Sequence, residues 1–306
     1  MATVAFLGTP GAAVPALRSL AGATRVSAVF CNPDKPQGRG RHLEAPPVKV
    51  AALELGLPTL QPATWKAPEF RAEWASLGID LAIVVAYGHI LPRWMIDSCA
   101  LGVWNLHFSI LPRWRGAAPV HQAILAGDPE TGVALMRITP GLDEGPVLAQ
   151  SRRPIGAADT APDLLTLLAA DGAALLSEWL GRLLMGTVEP VAQVGEPSFA
   201  VKLTRDMARL DPDLPAAVIH RQVRALQPWP GTDLEFDGIT LKVCGVGLTA
   251  PAEDPAGVLR WDKRGARLAC GDGQALTLTF LQRPGKPVQP ALQALQPFGA
   301  SGTRTT

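Results

Sequence analysis

The chain has 306 residues, with 28 Lys and Arg against 27 Asp and Glu, and 47% of its residues are hydrophobic. That composition excludes a disordered chain, and the length favours two domains over one. The net charge of +1 excludes a generally basic nucleic-acid binder and, taken alone, favours an enzyme acting on small molecules.

Residues 3–7 (TVAFL) read as a strand closed by Gly8-Thr9-Pro10-Gly11. A helical pattern runs to about Gly22, and a second strand covers 24–31. This order suggests a parallel α/β sheet. A polar, Pro/Gly-rich loop over 32–46 leads to a helix over 47–55, a brief strand at 57–60 and a helix over 68–77. Residues 80–86 (DLAIVVA) are a nearly continuous apolar run, as expected of a central strand covered on both faces. A strand at 102–108, a helix over 116–126, strands near 132–138 and 146–153, and a Leu/Ala-rich helix over 160–185 behind the capping pair Asp159-Thr160 complete this half.

Around 186–212 the chain becomes irregular, with Pro190, Pro197 and Pro212, and reads as a linker. A helix over 215–226 precedes β-like runs at 233–236, 239–247, 257–261, 266–270 and 275–281, the spacing of a small barrel. Residues 301–306 read as a disordered tail. The expected domains are 1–188 and 209–306, joined by a linker over 189–208. Residues 1–200 carry 15 basic and 17 acidic side chains, net −2, and residues 201–306 carry 13 and 10, net +3. The overall balance therefore hides a basic C-terminal third.

Cys31, Cys99, Cys244 and Cys270 form no CxxC pair and sit at no zinc-ligand spacing, so free thiols in a reducing compartment are expected, and no metal. The opening MATVAFLGTP lacks a basic region, and no apolar run approaches the ~18 residues of a membrane span. A cytoplasmic monomer without a membrane partner is expected.

The richest stretch is 105–116 (NLHFSILPRWRG). Asn105 and His107 stand two apart, so a strand puts both on one face, at the end of a parallel strand where open α/β sheets carry their sites. Asp143 lies in the glycine-flanked loop 140–145 (PGLDEG). An Asn amide and a protonated His are two donors for an oxyanion on a carbonyl under attack, and a carboxylate nearby orients the imidazole. No Ser-His or Cys-His nucleophile is evident, which favours direct acyl transfer through a tetrahedral intermediate. On these residues alone, a structural histidine and an ordinary Asp turn are the commoner reading. His89, His121 and His220 read as ordinary surface or cap residues. The turn Gly8-Thr9-Pro10 lacks the spacing of a nucleoside-triphosphate loop.

The run 105–119 (NLHFSILPRWRGAAP) resembles the signature of 10-formyltetrahydrofolate-dependent formyltransferases, as do Gly127-Asp128, Glu130-Thr131-Gly132-Val133 and Gly141-Leu142-Asp143. Within that family, Phe6-Leu7-Gly8-Thr9-Pro10, the loop 32–41 (NPDKPQGRGR) and Ala45-Pro46-Pro47-Val48-Lys49 are similar to the members acting on methionyl-tRNA. The resemblance implies a Rossmann-like N-terminal domain with a mostly parallel sheet and a smaller OB-like β-barrel at the C-terminus. It implies formyl transfer from 10-formyltetrahydrofolate to methionyl initiator tRNA, with Asn105, His107 and Asp143 at the catalytic positions. It assigns Ser109, Ile110, Leu111 and Pro112 to folate contact, and Ile90 and Leu91 to the pterin pocket. Lys35, Arg39, Arg41 and Lys49 fall on the tRNA-entering loop, Arg39 foremost. The sequence departs from the family at Gly11-Ala12 and at Glu144-Gly145-Pro146. A formyltransferase acting on an amino sugar, or a non-catalytic tRNA binder, are the competing readings.

Overall fold

A computed structural model describes residues 2–37 and 42–305. The chain divides into two compact units. One comprises Met1–Pro119, Glu130–Pro154 and Leu165–Ala200; the other comprises Val120–Pro129, Ile155–Leu164 and Val201–Thr306.

The first unit is built on a seven-stranded sheet. Its order is Val147–Pro154, Glu130–Arg137, Gly102–His107, Leu81–Val85, Val4–Gly8, Val26–Phe30, Thr59–Leu60. The five strands from Gly102–His107 to Thr59–Leu60 are parallel; Glu130–Arg137 runs antiparallel to both its neighbours, so the edge strand Val147–Pro154 again shares the direction of the five. Val4–Gly8 and Leu81–Val85 are buried at every position. Their unbroken apolar sequences follow from helices covering both faces. The chain proceeds outward from Val4–Gly8 to Thr59–Leu60, then returns to lay Leu81–Val85 on its other side. The strand order reverses there, which opens a crevice at the C-terminal ends of these strands. Ala5, Leu7, Phe30, Trp65, Trp74, Val84 and Tyr87 belong to one core cluster of this unit.

The helix Ala161–Met185 has 25 residues and is apolar enough to cross a bilayer by length and composition, which the sequence reading had not anticipated. Leu168, Leu175, Leu176, Leu180 and Leu183 are buried along it. A Cβ on its Gly172 would meet Val133, Leu106 and Phe108 at 3.4–3.7 Å, so its backbone lies close on the sheet. Asp171 is bonded twice to Arg153 (2.6 and 2.7 Å). The region read as a loop over 32–46 contains a small hairpin, Lys35–Gln37 against His42–Glu44, and a short helix, Arg93–Ser98, was not foreseen.

In the second unit a curled antiparallel sheet follows the order Asp233–Phe236, Ile239–Pro251, Gln274–Gln282, Gly265–Ala269, Val258–Asp262, Gly302–Thr305. It is a half-barrel of the OB-like kind. Irregularities in register between Val243 and Thr249 bend its longest strand. Its core gathers Phe236, Leu241, Trp261, Leu268 and Leu278 with Ile219 and Val223 of the helix Ala216–Leu226. The expected disordered tail is corrected: Gly302–Thr305 is a strand paired with Val258–Asp262. Its register sets Gly302 opposite Trp261, where a larger residue would strike the indole.

Candidate active site

Asn105 and His107 end the strand Gly102–His107, and the period-two alternation puts both on the wall of one cavity of about 570 Å³. That volume is in the range of small-molecule sites. Tyr87, Leu91, Ile96, Phe108, Met136, Ile138 and Leu142 make much of the lining apolar. The residues after Leu81–Val85 form one wall and the loop carrying Asp143 another.

His107 is 5% exposed. Its Nε2 lies 2.8 Å from the Trp114 carbonyl oxygen, which only accepts, so Nε2 carries a proton and donates it there. Nδ1 is left facing Asp143, whose Oδ2 stands 3.6 Å away. This is close enough for strong attraction to a protonated ring and too long for a direct hydrogen bond. The same Oδ2 accepts the Gly116 backbone N–H at 2.9 Å. Gly116 has φ +118°, and a Cβ there would lie 2.7 Å from the Ala200 carbonyl oxygen, so the position requires glycine. The loop reaches Asp143 by returning from Ile138, whose N–H bonds Val103 O, to Pro146, whose carbonyl accepts from Arg137.

The structure thus brings Asn105, His107 and Asp143 together around the cavity, with Ile90, 91% exposed, at its mouth and Leu91 buried in its wall. It does not bring Ser109, Ile110, Leu111 or Pro112 into the lining. Ser109 Oγ donates to Arg113 O at 2.6 Å, Leu111 O accepts from Gln150, and the Leu111 side chain packs with Ala134 and Met136. Ile110 lies against Gly132.

Of the basic loop, Arg39 and Arg41 lie outside the described residues. Lys35 is exposed. Lys49 is not a free cation: its ammonium holds both Asp34 oxygens at 2.8 and 2.9 Å. Lys49 and Gln61 together hold the Asp34 carboxyl below its ordinary value. His89, read from the sequence as an ordinary surface residue, lines the cavity. Burial, and then the Lys35 charge, lower its pKa. Its place directly after a central strand was the available signal. Among the described residues, no cluster of His, Cys, Asp and Glu suited to a metal is found.

The formyl transferase family profile matches residues 4–180, and that of the formyl transferase C-terminal domain matches residues 202–299. A relative named methionyl-tRNA formyltransferase in Paracoccus denitrificans is 45% identical over 293 residues, covering 96% of both chains. Another of that name, in Xanthomonas axonopodis pv. citri, is 46% identical over 287 residues, covering 92% of this chain and 93% of the relative. In fold the chain is similar to the N-formyltransferase of Helicobacter canadensis, solved with folinic acid and dTDP-3-aminofucose. The TM-score is 0.71 at 20% identity, over 92% of this chain and 100% of that one. The chain belongs to the formyl transferase family and, within it, to the methionyl-tRNA formyltransferases.

Proposed function

We propose that the protein transfers the formyl group of 10-formyltetrahydrofolate to the α-amino group of methionine carried by initiator tRNA, in the cytoplasm, for translation initiation. The observation that carries this reading is the convergence of Asn105, His107 and Asp143 on one largely apolar cavity. The names of the Paracoccus and Xanthomonas relatives support the acceptor, and the folinic acid bound by the Helicobacter neighbour supports a folate donor.

The chemistry follows from the donor set. An α-amino group has a pKa near ~8, and the neighbouring ester lowers it, so much of it is neutral at pH 7. Its nitrogen forms a bond to the formyl carbon, and the carbonyl electron pair moves onto oxygen. The Asn105 amide and the Nδ1–H of His107 donate to that oxyanion. As the intermediate collapses, the bond from carbon to N10 of the folate breaks and N10 gains a proton. The surplus proton of the amine leaves by way of Asp143. No covalent bond to the protein forms.

In this reading the pterin occupies the cavity beside Ile90 and Leu91. Ser109, Ile110, Leu111 and Pro112, outside the lining, meet the part of the folate that extends beyond it. Lys35, Arg39 and Arg41 engage the tRNA, whereas Lys49, committed to Asp34, secures the root of their loop. Residues 1–188 carry the chemistry, and 209–306 add RNA-binding surface through the connection at 189–208. The chain acts as a monomer and requires no membrane.

The test uses purified protein, donor labelled in its formyl group, and a choice of methionyl initiator tRNA, uncharged tRNA or a nucleotide-linked amino sugar. Label is expected on the charged initiator tRNA alone. Label on the amino sugar instead would sink the reading.

A further inference from the structure

Residues 187–200, which with Pro190 and Pro197 read as part of a linker, run as a strap beside the catalytic loop. Val191 and Val147 exchange two backbone hydrogen bonds of 2.8 Å, and Phe199–Ala200 pairs in parallel with Arg115–Gly116. Between these anchors stands Gln193. Its amide donates to Asp143 O and to Gly145 O, each at 2.8 Å. Its carbonyl oxygen accepts from Arg115 Nε at 3.0 Å and Nη2 at 2.7 Å. Two donors and two lone pairs are all that a glutamine side chain has.

We propose that Gln193 is a positioning residue for the His107–Asp143 pair, an inference that rests on the formyl-transfer reading of the same site. Arg115 adjoins Gly116, whose N–H holds the Asp143 carboxylate. Gln193 therefore ties the backbone of Asp143 to the residue next to its carboxylate's own donor, fixing Asp143 at two points. Asp143 needs such a tie, because its φ of +47° lies in the left-handed region. The strap also reaches the other partner of His107. Ser198 Oγ accepts the Trp114 N–H at 3.0 Å, and Trp114 O accepts from His107 Nε2. Gln193 is absent from the cavity lining, and its two donors and both lone pairs are already taken by Asp143, Gly145 and Arg115, so it contributes to geometry rather than to substrate contact. Glutamate cannot replace it: a carboxylate would bond Arg115 but would face the Asp143 and Gly145 carbonyls without a proton to offer.

The experiment compares wild type with Gln193→Met and Gln193→Glu in the formyl-transfer assay. Circular dichroism and a thermal melt verify that each variant is folded before its kinetics are compared. Both variants are expected to lose about 10- to 100-fold in kcat, the scale known for outer hydrogen-bond partners of metal-site ligands. KM for donor and acceptor should stay within about 3-fold, since no ligand contact is removed. Wild-type kcat in either variant overturns the proposal; in Gln193→Glu alone it does so by showing that anchoring Arg115 is all that Gln193 does. A second measurement needs no turnover: in protein labelled with ¹⁵N-histidine, the ring signals of His107, assigned with His107→Asn, should shift in Gln193→Met. Unshifted signals refute the positioning role. If wild type fails to formylate methionyl-tRNA, the functional reading falls and this spectrum still decides the role of Gln193.

Discussion

Each nitrogen of His107 has its own task. Nε2 is bound to the Trp114 carbonyl, so Nδ1 alone is left for the reaction, and it points where Asp143 stands. Removing this donor by His107→Ala is expected to lower kcat by about 10²–10³, the usual cost of losing an oxyanion donor, while circular dichroism stays that of the wild type. Gly116→Ala is expected to do damage without touching any reacting group. The added methyl has no room beside Ala200 O, the φ of +118° disfavours it, and the N–H bond to Asp143 is displaced. Both kcat and Tm should fall, and assay and thermal melt read them separately. Asn105 and His107 were legible in the sequence because strand alternation is local. Asp143 was legible as a loop carboxylate but its place beside His107 only through resemblance, and Gln193 not at all: it meets Asp143 and Arg115 across 50 and 78 residues, through partners that include backbone carbonyls with no signature in the side-chain code.

At the scale of elements, apolar runs such as Leu81–Val85 declared themselves, since covering both faces leaves no alternation to misread. The C-terminal strand did not, because Gly302–Thr305 is short and polar and is fixed by its pairing with Val258–Asp262. Deleting 300–306 should uncover Trp261, which is 2% exposed. We expect a loss of about 2 kcal/mol, the scale of burying one large apolar side chain, measured by urea unfolding. Acid tests a different element. The lowered pKa of Asp34 means that the unfolded chain binds its proton more readily than the folded one. The stability contributed by the Asp34–Lys49–Gln61 clamp is therefore present above the ordinary value of 3.8 and lost as pH falls through the lower folded-state value. The difference in unfolding free energy between wild type and Asp34→Asn should accordingly close as the pH is taken below 3.8.

For the whole molecule, a net charge of +1 conceals an uneven distribution, with residues 201–306 at +3 and basic groups concentrated in one loop. Affinity for tRNA should then fall with salt along a shallow slope, because few phosphates are neutralised. Arg39→Ala should raise KM for initiator tRNA and leave KM for the folate unchanged, as steady-state kinetics with each substrate varied would record. The backbone also spends strain unevenly. Among the described residues, four that are not glycine have positive φ: Ala86, Trp114, Asp143 and Asp237. Ala86 and Asp143 line the cavity, and Trp114 supplies the carbonyl that holds His107. Each left-handed residue costs about 1 kcal/mol or more. The molecule thus carries its least comfortable backbone where its chemistry is set. A mutant library screened for survival of heat alone would accumulate glycine and asparagine at 86 and 114 and drift toward a sturdier, slower catalyst.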